Sequence, residues 1–401
     1  MKRATVVRTT GLAGLAVFAA GTSMAQLVAP PAAHSLLGVN CDAPPRFHCP
    51  DDYCLSSYIT QPGDTVEMKT RRPYFLDCPT GYKPGDKVNI VLSLHGAGSY
   101  ANWQRNYFPV MDVKDKYKLV VITPGSPTRT WSAYDDQFLA NIVDSVVGAV
   151  GKENVDHFIL AGHSQGGATS SRIVCMPYFR DKVDVRISLS GGRIGPTLPG
   201  KPGTGFPIGV TVSSYDPDNP PPARGGRGPA PAAAPARGGA PGAAPAAGAP
   251  ARAGGLAGAS APGQGNMDCD YSFIYSAGEY ENIAAPTSPM ADKYGCKPRE
   301  QRPDIIDPKK GYVFDGSRQD PGTDSWGHYP RSGRTLEYVF TGCRDGRLVA
   351  DFSKLSKGHT EGYEPNVTDE IIRLALSASG GKIRTGSWSP PAAPAAPGRG
   401  G

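Results

Sequence analysis

The chain has 401 residues, with 42 Lys and Arg against 36 Asp and Glu, and a formal charge of +6. Three of the positive charges, Lys2, Arg3 and Arg8, lie at the extreme N-terminus. Four more, Arg224, Arg227, Arg237 and Arg252, lie in a tract with no acidic residue from Asn219 to Asn266. Without these seven the body stands at −1, which excludes the broad basic face that a nucleic-acid partner would need.

In chain order, MKRATVVRTTGLAGLAVFAAGTSMAQ sets basic residues ahead of an apolar run, Gly11 to Gly21, and then the small-x-small site Ser23-Met24-Ala25. This predicts a secretory signal peptide over 1–25, too short for a membrane span, and hence a secreted or periplasmic protein. The eight cysteines suit that oxidising destination. They allow up to four disulfides, whose connectivity their spacing leaves open. No pair is spaced Cys-x-x-Cys, so no metal site is expected.

TVEMKTRRPYFLDCP, from Thr65, reads as an opening pair of strands. VNIVLSLHG (Val88 to Gly96) and YKLVVITP (Tyr117 to Pro124) are β-branched apolar runs suited to a parallel sheet buried on both faces. Asp135 to Val150 has apolar residues near helical spacing, with Asp135 or Asp136 available as a cap. Then come Phe158 to Ala161, Val183 to Gly192 and Tyr271 to Glu281 as further strands. LEYVF and RLVADF flank a turn at Cys343 to Gly346, and TDEIIRLALSA is an amphipathic helix. Alternating strands and helices predict an α/β architecture with a mainly parallel central sheet flanked by helices. The Pro/Gly/Ala tract 219–266 carries almost no bulky apolar residue and reads as a disordered insertion. The tail 387–401 has similar composition, which leaves 26–386 as a single domain.

Gly162-His163-Ser164-Gln165-Gly166 stands between a short apolar strand and a run of small residues. Glycines that flank such a tight strand-to-helix turn let the serine at its apex stand exposed, as a nucleophile must. Ser164 is therefore the expected nucleophile. A serine hydroxyl needs a neighbouring base. His359, between Gly358 and Gly362 after the last strand, is the expected one, with His328 as runner-up. His163 should point away from the Ser164 hydroxyl. The oxyanion of an acyl-transfer step needs backbone N–H donors. Gln165, next after the serine, supplies one. The loop His95-Gly96-Ala97-Gly98 supplies the other, with Ala97 first and Gly98 second, which makes His95 structural. Trp131, after a strand end, is a candidate substrate wall, with a packed core aromatic as the other reading. The orienting acid should lie between serine and histidine in the chain. Glu281 is favoured, with Glu279 and Asp216 open.

Together RRPYFLDCPTGY, LSLHGAG, GHSQGG and KGHTEG, in this order, resemble the α/β-hydrolase group that contains polyhydroxybutyrate depolymerase-like and feruloyl esterase-like secreted esterases. The resemblance runs from Arg71 to about Ala378, less the insertion. It implies the α/β-hydrolase fold, hydrolysis of carboxylic esters through an acyl-enzyme, and no cofactor. The expected partner is an ester, small or polymeric, of polyester, feruloyl or acetyl type. The histidine loop lacks the Trp-Pro that often follows the base in this group. A serine peptidase on the same fold and a non-catalytic binding protein are the alternatives.

Overall fold

The computed structural model describes residues 34–49, 54, 56–191, 266–278, 287–311, 331–355, 357 and 359–387. All of them fall in one unit that begins at His34. The predicted leader 1–25 and most of the predicted insertion and tail lie outside the described residues.

A two-stranded hairpin, β1 (Ser35–Leu36) and β2 (Val39–Asn40), and a short α1 (Ser56–Ile59) precede an 11-stranded sheet. The predicted opening pair forms as β3 (Thr65–Val66) antiparallel to β4 (Pro73–Asp77). Next follow β5 (Val88–Leu94), α2 (Ala101–Tyr107), β6 (Leu119–Pro124), α3 (Asp136–Val150) and β7 (Val155–His163). Then come α4 (Gln165–Ile173), β8 (Val185–Leu189), β9 (Ser272–Gly278) and α5 (Ser288–Lys293). The chain continues through β10 (Arg299–Gln301), β11 (Ile305–Gly311), β12 (Arg331–Phe340) and β13 (Val349–Lys354) to α6 (Pro365–Leu376) and α7 (Lys382–Thr385). The sheet order is β10-β12-β13-β9-β8-β7-β5-β6-β4-β3, with β11 also paired to β12. The six strands from β13 to β6 are mutually parallel, and the strands at both edges are antiparallel.

The central strands are apolar throughout because both faces are covered. Leu92, Ile122, Leu160 and Phe273 enter one core with Phe138, Ile142 and Val146 of α3 and Ile173 of α4. Their chain neighbours Val91, Val121, Ile159 and Ile274 enter a second core with Trp103 and Tyr107 of α2 and Val367, Ile371 and Ile372 of α6. A period of two along a strand sends successive side chains to opposite faces, so a strand buried on both sides cannot alternate with polar residues.

Four disulfides settle what the cysteine spacing left open: Cys41–Cys78, Cys49–Cys54, Cys175–Cys269 and Cys296–Cys343. Among the described residues no helix is long and apolar enough to cross a membrane, and no cluster could hold a metal ion.

Two expectations need correction. Neither Asp135 nor Asp136 caps α3 with its side chain. A 3-10 turn, Ala133–Asp135, runs directly into the helix, so the exposed first amides belong to that turn and Ser132 forms a capping box with Asp135 there. Asp135 also binds the buried Arg72 at 2.7 Å, and Asp136 binds Arg172 at 2.5 Å. The predicted insertion also cannot extend to 266. Asn266 is fully buried, its amide donates to Ser171 Oγ, and its carbonyl accepts from Tyr271 Oη at 2.5 Å. It belongs to the packed body that leads into β9, and only its polar side chain made it resemble the tract before it.

Candidate active site

Strands β5, β7, β9 and β13 run in one direction, so their carboxyl ends share one edge of the sheet. In open α/β sheets that edge is where ligands bind. Each sequence motif sits there. The loop after β5 carries Ala97, the turn after β7 carries Ser164, and the loop after β13 carries His359.

The turn at Ser164 is sharp. β7 ends at His163 and α4 begins at Gln165, leaving Ser164 alone between them with φ 51° and ψ −113°. A non-glycine residue in that region costs on the order of 1–3 kcal/mol, which the surrounding structure must offset. The backbone holds it: Ser164 N–H donates to Leu189 O at 2.9 Å, and Ser164 O accepts from Ala168 N–H at 2.9 Å. The neighbouring glycines leave no room for anything larger. A methyl at Gly162 would strike the Gly166 backbone, and one at Gly191 would strike the Ser164 carbonyl. One at Gly166 would lie 2.6 Å from His95 O and press on Leu94 O. We therefore expect Gly166→Ala to force β5 and α4 apart. It should lower the thermal midpoint and remove most activity, and an unchanged midpoint with unchanged turnover would contradict this packing.

Ser164, His359, Ala97 and Gly98 line one cavity of about 350 Å³, together with Gly96, Ser99, Trp103, Arg129, His163 and Thr360. The two candidate N–H donors of the serine and glycine loops, Gln165 and Ala97, have no hydrogen-bond partner among the described residues. Gly98 N–H does not share this property, because it donates to Arg129 O at 2.7 Å. The Arg129 guanidinium returns to Gly98 O, so one residue grips both polar groups of that glycine.

His95 is fully buried beneath this loop. Its Nδ1–H donates to Gly96 O at 2.7 Å, and its Nε2 accepts from Ser126 N–H at 3.0 Å. Burial holds its pKa down at about 4, so it stays neutral and serves as a strut.

Trp131 is only 5 % exposed and does not line the cavity. Its Nε1–H donates to His95 O at 2.7 Å, and the Gln165 side chain accepts from its backbone N–H at 3.0 Å. The substrate-wall reading is thus replaced by the packed one. The indole fills the space behind the loop and links β5 to the turn at Ser164.

Glu281, Glu279, Asp216 and His328 lie outside the described residues. β9 pairs in parallel with β13 so that Gly278, its last residue, faces Lys354, the last of β13. The chain therefore leaves β9 beside the strand that leads to His359.

Three groups at or behind the cavity wall were not anticipated: Arg129 and Trp103 line it, and the fully buried Tyr107 stacks on Trp103 behind it. Arg129 lies past the end of β6, and its guanidinium stacks over Tyr100 at 4.2 Å. Trp103 and Tyr107, four apart on α2, stack at 4.5 Å between ring centres and pack on His163. Their spacing was readable as one helix face, but nothing in it points to the His359 carbonyl, 252 positions later, that accepts from the Tyr107 hydroxyl.

A family model described as Alpha/beta hydrolase family matches residues 89–346. Solved structures show partial likeness. The fluorophosphonate-binding serine hydrolase FphF of Staphylococcus aureus, substrate bound, is 18 % identical with a TM-score of 0.25, over 32 % of this chain and 55 % of that one. The butyrate-bound esterase Est2 of Thermogutta terrifontis is 15 % identical with a TM-score of 0.25, over 33 % and 55 %. Est1E from Butyrivibrio proteoclasticus is 22 % identical with a TM-score of 0.23, over 29 % and 45 %. The chain thus spans about half the length of the structures it matches. No curated protein matches it.

Proposed function

Because this chain belongs to the alpha/beta hydrolase family, we propose that it is an exported serine carboxylesterase that works through an acyl-enzyme. The observation that carries this reading is the strained Ser164 between β7 and α4, sharing one cavity with His359 and Ala97. Ser164 Oγ attacks the ester carbonyl carbon while His359 takes its proton. The carbonyl oxygen becomes an oxyanion, held by the Ala97 and Gln165 N–H groups. His359 then gives the proton to the departing alkoxide, which leaves an acyl-serine. Water, deprotonated by the same histidine, attacks the acyl carbon; the bond to Ser164 Oγ breaks, His359 returns the proton to that oxygen, and the acid leaves. No metal or cofactor enters these steps. Four disulfides favour an oxidising compartment and so support the export reading.

The test is hydrolysis of short-chain p-nitrophenyl esters beside aminoacyl anilides by the purified protein. Ester cleavage with anilides untouched is expected. Faster anilide cleavage would make it a peptidase, and no turnover of either would favour a binding protein. A panel of feruloylated, acetylated and polyester substrates would then name the acyl group.

Glu281 is the proposed acid, three residues past the end of β9, and Glu279 is the nearer rival. The exit of β9 beside β13 supports both over Asp216. The carboxylate holds the imidazole tautomer and stabilises the imidazolium. Glu281→Gln is thus expected to lower kcat by up to ~10⁴ with KM little changed. Glu279→Gln and Asp216→Asn, assayed on the same ester at the same pH, should retain most turnover. Collapse of either one while Glu281→Gln survives would transfer the role to that residue.

A further inference from the structure

His163 immediately precedes Ser164, yet its ring leaves the serine and enters the second core. It is 3 % exposed, with ring centres 4.2 Å from Tyr107, 4.9 Å from Trp103 and 4.8 Å from His359. Its Nε2 lies 2.9 Å from the backbone carbonyl oxygen of His359. A carbonyl can only accept, so Nε2 carries the proton and Nδ1 is a bare lone pair. That Nδ1 is buried with no partner among the described residues, facing Gly96. An unmet buried acceptor destabilises the fold, and a phenyl ring would fill the same aromatic slot without that penalty. The imidazole is therefore accounted for by the one polar contact it makes.

Tyr107 acts on the same segment. Its hydroxyl donates to the same His359 carbonyl at 3.1 Å, and its backbone carbonyl accepts from Tyr363 N–H at 2.8 Å. The segment from His359 to Tyr363 is thus pinned at both ends to one residue of α2. Lys354 Nζ holds it in the middle, donating to Glu361 O at 2.7 Å. Orienting the His359 carbonyl fixes the peptide plane from which its side chain departs, and so the direction of the imidazole.

We propose that His163 and Tyr107 are positioning residues for the base: together they clamp the His359 carbonyl and aim its ring at Ser164. This rests on the serine-esterase reading above and adds to it the device that sets the distance between nucleophile and base. Burial also lowers the His163 pKa well below its usual value, so the clamp stays neutral beside a base that becomes cationic during turnover.

The clamp is tested with His163→Phe, His163→Gln and Tyr107→Phe on a neutral soluble ester, with Ser164→Ala assayed in parallel. His163→Phe keeps a ring and removes the donor. It is expected to lower kcat ~10- to 100-fold, the scale of a misplaced catalytic group, with KM within about twofold of the parent. His163→Gln restores an N–H near the position of Nε2 and should recover most of that loss. Tyr107→Phe should show a smaller fall in kcat with the same unchanged KM. The clamp is overturned if His163→Phe keeps the parental kcat, or if His163→Gln is no better than His163→Phe, since ring packing alone would then account for the residue. If His163→Phe does not fold, Tyr107→Phe decides by itself, and an unchanged kcat overturns the clamp. A fully active Ser164→Ala would instead remove the esterase reading, whatever the other variants do.

Discussion

Ser164→Ala should leave a folded protein with ester turnover reduced by ~10⁴ or more, because it removes the hydroxyl on which the proposed acyl-enzyme forms. Two observations separate this loss from unfolding. The Ser164 side chain makes no hydrogen bond among the described residues, so its removal strips no contact from the core. The backbone bonds that hold the turn, to Leu189 and Ala168, use main-chain atoms that alanine retains. The strained φ is equally open to alanine and serine, so the thermal midpoint should move little. Turnover and melting are measured on the same preparation. Near-parental turnover would remove Ser164 as nucleophile and the proposed function with it.

Cys175→Ser/Cys269→Ser should be the most destabilising change at any cysteine pair. Cys175 stands two residues past the end of α4, and Cys269 three residues ahead of β9, both packed against the first core. The bond closes a sequence separation of 94, the longest of the four, whereas Cys49–Cys54 closes only 5. In the chain-entropy account, a cross-link stabilises by restricting the unfolded chain, and the effect grows with the logarithm of loop length. That gives about 4–5 kcal/mol for the long loop and about 2 kcal/mol for the short one. The loop that Cys175–Cys269 closes contains β8, so the bond ties the end of α4 to the entry of β9. Chemical denaturation of the double variant, compared with Cys49→Ser/Cys54→Ser, checks both size and order. A change under about 1 kcal/mol at Cys175–Cys269, or the reverse order, would refute the estimate.

The parts of the molecule legible from sequence alone were those decided by near neighbours. Val88 to Leu94, Leu119 to Pro124 and Phe158 to Ala161 were readable as buried strands because a two-sided environment leaves no polar alternation. The turn at Ser164 was readable because Gly162 and Gly166 flank one serine between an apolar strand and a run of small residues, although the backbone that a side chain at Gly166 would strike, Leu94 and His95, lies far back in the chain. The fold class follows from these short-range patterns. By contrast, the strands β10 and β11 were missed, since Glu300, Gln301, Asp307 and Lys309 hardly depart from loop composition. Their pairing with β12 supplies what propensity does not.

Everything that depends on which distant residues meet was decided by the tertiary structure. The four cysteine pairs, the burial of Trp131 against His95 and the commitment of Gly98 N–H to Arg129 link residues 5 to 94 positions apart. The convergence of Tyr107 and His163 on the His359 carbonyl spans 252 and 196 positions. A sequence states the donors and acceptors a chain carries, and its local periods show which face each will take. Which donor reaches which acceptor depends on strand order and on the shared direction of β5, β7, β9 and β13. Those are settled only when the whole sheet buries its two faces together.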